Sequence, residues 1–198
     1  MATGDEQATP ISPGSDGTPV PAGTAVIRLG PKPPLKNLND PGHAKLALGQ
    51  AWEGLFAFSE SERKLASPRL SVWLTALTTP AQAWLLVGAN WKNVILVNLR
   101  VDQVRIVFAP GTASTPETPR LDVVWEQATT VDSNDPLQRI SETRPGCQGH
   151  CGIDGLYRGT KAQRGKLREL LTDTVQPGDL VVLTDEQIAQ FQAAVTSA

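Results

Sequence analysis

The chain has 198 residues, 40% of them hydrophobic and 19% charged, the size and balance of one globular domain. Its formal net charge of -2 leaves no overall electrostatic footprint for nucleic acid or an anionic membrane. No apolar run approaches the ~20 residues needed to cross a bilayer, and Met1 to Glu6 lack the basic and apolar regions of a signal peptide.

A cytosolic location of bacterial type is the resulting expectation. There the two cysteines are free thiols, ligands or bystanders rather than a structural disulfide.

Residues 1–40 are rich in Pro, Gly, Thr and Ser, with prolines at 10, 13, 19, 21, 31, 33 and 34. Only Val26-Ile27-Arg28-Leu29 has the content of a short strand. So little apolar periodicity cannot offset the entropy of ordering, so 1–40 reads as a flexible arm before a single domain over 41–198.

Asp40-Pro41 is a helix start, because aspartate caps and proline suits the first turn. Ala44, Leu48, Ala51, Trp52 and Leu55 follow at helical spacing and predict one buried stripe. Ser59 and Glu62 form a capping box for a short helix that Pro68 ends. Leu70 to Leu74 predicts a strand, and Thr79-Pro80 opens another helix through Trp84 that stops at Gly88.

Val94 to Leu99 is the most apolar strand, and Val104 to Phe108 predicts a second. A Pro-rich surface loop leads from Ala109 to Pro119, then Leu121 to Trp125 makes a further strand. From Glu126 to Arg158 no period is sustained. Irregular stretches beyond about 12–15 residues are uncommon unless they serve a function or stay disordered. Thr160 caps a helix through Leu167, Leu170 and Leu171, and Pro177-Gly178-Asp179 turns into Leu180 to Leu183. Thr184 and Gln187 box the last helix, with Ile188, Phe191 and Val195 on one face. This order predicts an α+β fold, a mixed sheet covered mainly on one side by helices.

Both cysteines and one of the two histidines fall in residues 146–155, where glycine stands at 146, 149, 152 and 155. Glycine every third residue predicts a shaped loop instead of a strand or helix. Cys147 or Cys151 as nucleophile, His150 as base and Asp154 as its orienting partner make the candidate catalytic set. The local signatures of cysteine hydrolases are missing around them. Zinc would need Cys147, Cys151, His150 and His43 together, without the second closely spaced pair that ribbons and fingers use, so no metal or other cofactor is expected.

Arg158, Lys161, Arg164 and Arg168 follow the loop and predict an anion-binding stripe beside it. Aromatic residues do not interleave with these bases, which disfavours nucleic acid. The tryptophans at 52, 73, 84, 91 and 125 read as core, with Trp91 the one placed in a polar turn. No Walker loop, dinucleotide fingerprint, nucleophile elbow or zinc-protease helix occurs. The functional expectation is a non-enzymatic module that binds a protein partner, with an anionic ligand also open to it. The alternatives are a Cys/His enzyme acting on an acyl or phosphorylated substrate, and a zinc-stapled scaffold.

Overall fold

The computed structural model describes residues 11–31, 41–63, 67–87, 94–111, 119–135 and 138–196. Val26 to Leu29 do form a strand, within β1 (Ala25–Pro31), but it does not stand on a free arm. It pairs along its whole length with β3 (Val94–Arg100) and at two positions with β2 (Leu70–Leu74). The six-stranded sheet runs β4–β7–β2–β1–β3–β8, with β4 at Asp122–Trp125, β7 at His150–Asp154 and β8 at Leu180–Val182.

The expected α+β class is what the chain adopts. Every pairing in this sheet is antiparallel, a narrower arrangement than the mixed sheet expected.

Residues 17–31 of the expected arm are built into the sheet. Val20, Val26, Ile27 and Leu29 are buried, and residues 17–20 lie along the outer edge of β4. There Gly17 N–H donates to the Trp125 carbonyl at 2.8 Å and Val20 N–H to that of Val123 at 2.9 Å. Prolines at 19 and 21 suit a segment that pairs on one side only, because an edge does not need every N–H. Local composition therefore suggested an arm where tertiary pairing makes a strand and an edge cover.

The helix caps expected within the described residues are formed, while Asp40 lies outside them. α2 (Glu60–Arg63) opens with the Ser59–Glu62 box, in which Ser59 N–H donates to Glu62 Oε2 at 2.6 Å. α3 (Pro80–Leu86) and α5 (Lys161–Asp173) begin with reciprocal Thr–Gln boxes, Thr79 with Gln82 and Thr160 with Gln163. α6 (Asp185–Thr196) has the same device in Thr184 and Gln187.

Two helix and strand expectations fail. α1 (Pro41–Ala47) ends before the predicted stripe is complete: Gly49 takes φ +68°, Leu48 is 71% exposed, and Ala51 and Leu55 are buried beyond the helix. Val104 to Phe108 is not a strand, because Val101 and Val104, three apart, bury together on α4 (Val101–Arg105) while Ile106 faces solvent. The expected surface loop at 109–119 falls largely on residues outside the described set, as do Gly88 and Trp91.

One face of the sheet is closed by Leu55, Phe56, α4 and the Leu167 and Leu171 side of α5. On the other face α3 and α6 pack over β1 and β3, where Trp84 and Ile188 join Ile27, Leu29 and Leu96 in one cluster that also takes in Trp73 and Val181. The part of that face formed by β2, β7 and the end of β4 is left as a cleft.

β1 and β2 splay apart after the Ile27–Trp73 pair, and side chains bridge the gap. Arg28 donates to Glu62 at 2.8 Å and to the Ser71 carbonyl at 2.9 Å. Glu62 Oε1 accepts from Ser71 N–H at 2.9 Å. A buried ion pair thus satisfies the backbone groups of Ser71 that a neighbouring strand would otherwise take.

Candidate functional site

The run from Gly146 to Gly155 is a correction with consequences for function. Instead of a loop it contains one turn of 3-10 helix, Cys147–Gly149, and then the interior strand β7. Gly146 at φ +88° and Gly155 at φ +96° stand at either end of this piece. Gly152 lies within the strand because a Cβ there would meet the Arg69 side chain at 2.6 Å and Glu126 Oε2 at 2.9 Å. The glycines make room for neighbours rather than shaping a reactive loop. The rest of the segment from 126 to 158 also has order: β5 (Thr129–Val131) and β6 (Arg139–Ser141) pair as a separate hairpin.

A strand sends successive side chains to opposite faces, so His150 and Cys151 part company. Cys151 is fully buried in the closed core opposite Trp125, and burial pushes its thiol up to about 12. His150 faces the cleft. Asp154 is four residues along β7 from His150, about 13 Å at the usual strand rise, and it is bound by Arg158 at 2.5 Å. Cys147 is half-buried, and its sulfur contacts Gln148 Oε1 at 3.9 Å. It shares with His150 a small cavity of about 310 Å³, without a hydrogen bond between them. The predicted Cys–His–Asp set is therefore not assembled.

Native thiol chemistry should reflect this division. With an aromatic disulfide reagent at pH 8, one thiol per chain is expected to react, and Cys147→Ser should abolish the reaction until denaturant is added. Reaction of both sulfurs in the folded protein would contradict the placement of Cys151.

The basic stripe is dispersed as well. Arg158 is occupied by Asp154, and Arg164 lies over the Tyr157 ring at 5.2 Å while bonding the Tyr157 and Gly159 carbonyls. Lys161 is exposed on α5, Arg168 is half-buried, and none of the four lines the cleft. His43 belongs to α1, and its side chain lies outside the described residues. Among the described residues no group of three or more His, Cys, Asp or Glu is placed to hold a metal ion. No helix among them is long and apolar enough to cross a membrane.

The cleft itself has a volume of about 690 Å³. Its floor is Trp73, His150 and Glu126, its walls Arg69 and the β5–β6 hairpin with Arg139. Trp73 and His150 are paired across β2 and β7, with ring centroids 4.5 Å apart. Glu126 continues β4 past its last residue, and its N–H reaches the His150 carbonyl at 3.3 Å.

Burial pushes the His150 imidazole down to about 4, against a weaker lift from Glu126's backbone and Glu62. Burial raises the Glu126 carboxyl to about 7, against the pull of Arg69. At pH 7 the imidazole is neutral, so the 3.8 Å between His150 Nε2 and Glu126 Oε2 is not an ion pair. Glu126 Oε2 and His150 Nδ1 are both buried without a hydrogen-bond partner among the described residues. Such atoms are rare in native proteins and call for a specific explanation.

The sequence does not single out Glu126, Arg69 or Arg139, and it marks Trp73 only as a core residue, which at 4% exposure it is. The one sequence signal available was Gly152 inside an apolar strand, which marks a close approach by something else.

The two shifted groups oppose each other in stability. His150, lowered, contributes stability above pH 6.5 that is lost as pH falls through about 4. Glu126, raised, contributes stability below pH 4.5 that is lost as pH rises through about 7. Between those limits the contributions nearly cancel. Glu126→Gln is expected to unmask the His150 slope, so that stability climbs with pH from about 4 to 6.5 and exceeds wild type above pH 7. Urea melts across this range would show it, and a variant parallel to wild type would refute the burial of Glu126.

No family model, curated protein or solved structure matches this chain.

Proposed function

We propose that this chain is a non-enzymatic binding module, working in a bacterial-type cytosol, which holds a protein partner in the cleft over β2, β7 and β4. The observation that carries the reading is the floor of that cleft, where two buried polar atoms, Glu126 Oε2 and His150 Nδ1, lack partners among the described residues. Leaving a buried polar atom unsatisfied costs about 1–3 kcal/mol, a penalty that a bound segment able to hydrogen-bond there would remove.

The shape supports an extended segment. A space of about 690 Å³ takes a few side chains, not a folded domain, and the hairpin β5–β6 borders it on one side. The sequestered Cys151 supports the non-enzymatic half of the reading. The rival, a cysteine enzyme, would rest on Cys147 alone. The zinc-stapled alternative finds no ligand cluster among the described residues to support it.

A photo-crosslinking amino acid at Thr130, on the cleft wall, and another at Lys161, on α5, test the reading in the native host. Adducts from Thr130 and none from Lys161 are expected. Adducts from Lys161 alone, or from neither position, would remove it.

A further inference from the structure

We infer that the segment held in this cleft presents a primary ammonium group to Glu126 and a carboxylate to Arg139, so that the recognised chemistry is a lysine beside an acidic residue. The inference rests on the cleft being the binding site proposed above, and adds what the site selects.

The argument begins with charges. Among the described residues four arginines and four acids line the cleft, and three pairs are in ion-pair contact, although Arg69 Nε has no hydrogen-bond partner there. Arg28 holds Glu62 at 2.8 Å, Arg69 holds Asp16 at 3.2 Å and Arg144 holds Glu142 at 2.5 Å. Glu126 and Arg139 are left over, one of each sign. Arg139 bonds Thr129 through Nε at 2.8 Å and Nη2 at 3.0 Å, both neutral oxygens, and has no acid partner among the described residues. A zwitterionic pair of groups is the complement of such a remainder.

Polarity assigns each group to its place. Among the described residues Glu126 Oε2 is an acceptor without a donor: the neighbouring imidazole is neutral, and Arg69 attracts the carboxyl without a hydrogen bond to that oxygen. An ammonium carries three N–H donors, enough to engage the Glu126 carboxylate, whose side chain is 13% exposed, and a neighbouring acceptor of the floor at once. Trp73 lies in the same floor, and an indole face attracts a cation. A carboxylate placed there would meet Glu126 instead, and like charges in a desolvated site repel. Arg139 retains one guanidinium nitrogen, Nη1, for the acid of the ligand.

Binding should then be linked to protons. The groups acting on Glu126 come from every side: Arg69 ahead of β2, His150 on β7, Asp16 in the N-terminal segment, Glu62 on α2 and Arg139 on β6. Their balance with burial keeps the Glu126 carboxyl half-protonated near neutrality, while an ammonium binds the ionised form. Affinity therefore rises with pH through that region.

The test is calorimetric titration of the full chain with three probes: N-acetyl-Lys-Glu-amide, n-butylammonium and butyrate. The peptide is expected to bind more tightly than butylammonium, and butyrate not at all. Affinity for the peptide should fall about tenfold from pH 8 to pH 6, following the ionised fraction of a group titrating near 7. Glu126→Gln should abolish binding of both amines. Arg139→Gln, on the exposed hairpin, should keep butylammonium binding and lose the preference for the peptide. Binding of butyrate alone, affinity that grows as pH falls, or no binding by any probe would overturn the inference. If crosslinked adducts at Thr130 persist while no probe binds, this inference fails and the protein-binding reading stands. If the amines bind and no adduct forms at Thr130, the chemistry stands and the protein partner falls.

Discussion

Glu62→Ala is expected to lower the folding stability of this chain by about 3–5 kcal/mol, measured by urea or guanidinium unfolding. The substitution strips Arg28 of its counter-ion in a place where both side chains are only 7% exposed. It also removes the acceptor for Ser71 N–H and the cap of Ser59 at the head of α2. Burial works to raise the Glu62 carboxyl, and Arg28 with the N–H donors of Ser59 and Ser71 outweighs it, so the group sits below its ordinary value.

A lowered carboxyl contributes stability above pH 4.5 that disappears as pH falls through the folded value, so part of the wild-type acid sensitivity should vanish with it. The paired replacement Arg28→Met with Glu62→Leu is expected to cost less than Glu62→Ala alone, because it leaves no unpaired charge inside. Equal losses would show that the backbone hydrogen bonds of Ser71, and not the stranded guanidinium, dominate.

Gly155→Ala is the second large effect. The residue adopts φ +96°, which for a side-chain-bearing residue costs about 1–3 kcal/mol. A Cβ built there would lie 2.2 Å from the Arg120 carbonyl oxygen, and overpacking of that kind adds about 1–3 kcal/mol. Backbone cannot swing aside as a flexible side chain would, so the two penalties add. The expected total is about 2–6 kcal/mol, with the turn after β7 displaced from Arg120. Gly165→Ala, inside α5 with nothing within 4 Å, is the counterpart of opposite sign and should stabilise by about 0.5–1 kcal/mol. Thermal melts of both variants together test whether glycine is used for space or merely tolerated.

These two residues also explain what could and could not be read in advance. The boxes at Ser59, Thr79, Thr160 and Thr184 depend on partners three residues away, so the sequence contains both halves of each. The strands Leu70 to Leu74 and Val94 to Leu99 carry enough apolar and β-branched content to be legible alone. β1 was visible only as a fragment, because its order comes from β3, some seventy residues later. α4 was mistaken for a strand since Val104 to Phe108 has strand content, and only the burial of Val101 and Val104 together selects the helix.

The site was misread for a related reason. Reactive residue types at 147, 150 and 151 drew attention, but the alternation of β7 sends the second cysteine into the core. Glu126, Arg69 and Arg139 look like unremarkable surface charges in one dimension. They converge only when the sheet brings the end of β4, the lead into β2 and the hairpin around one space.

The stretch that runs beside β4 carries a consequence for handling the protein. Shorten the chain beyond residue 20 and a row of bare amide and carbonyl groups on Val123 and Trp125 faces water. Exposed edges of this kind recruit a strand from another molecule. Residues 17–20 thus act as a built-in guard against self-assembly.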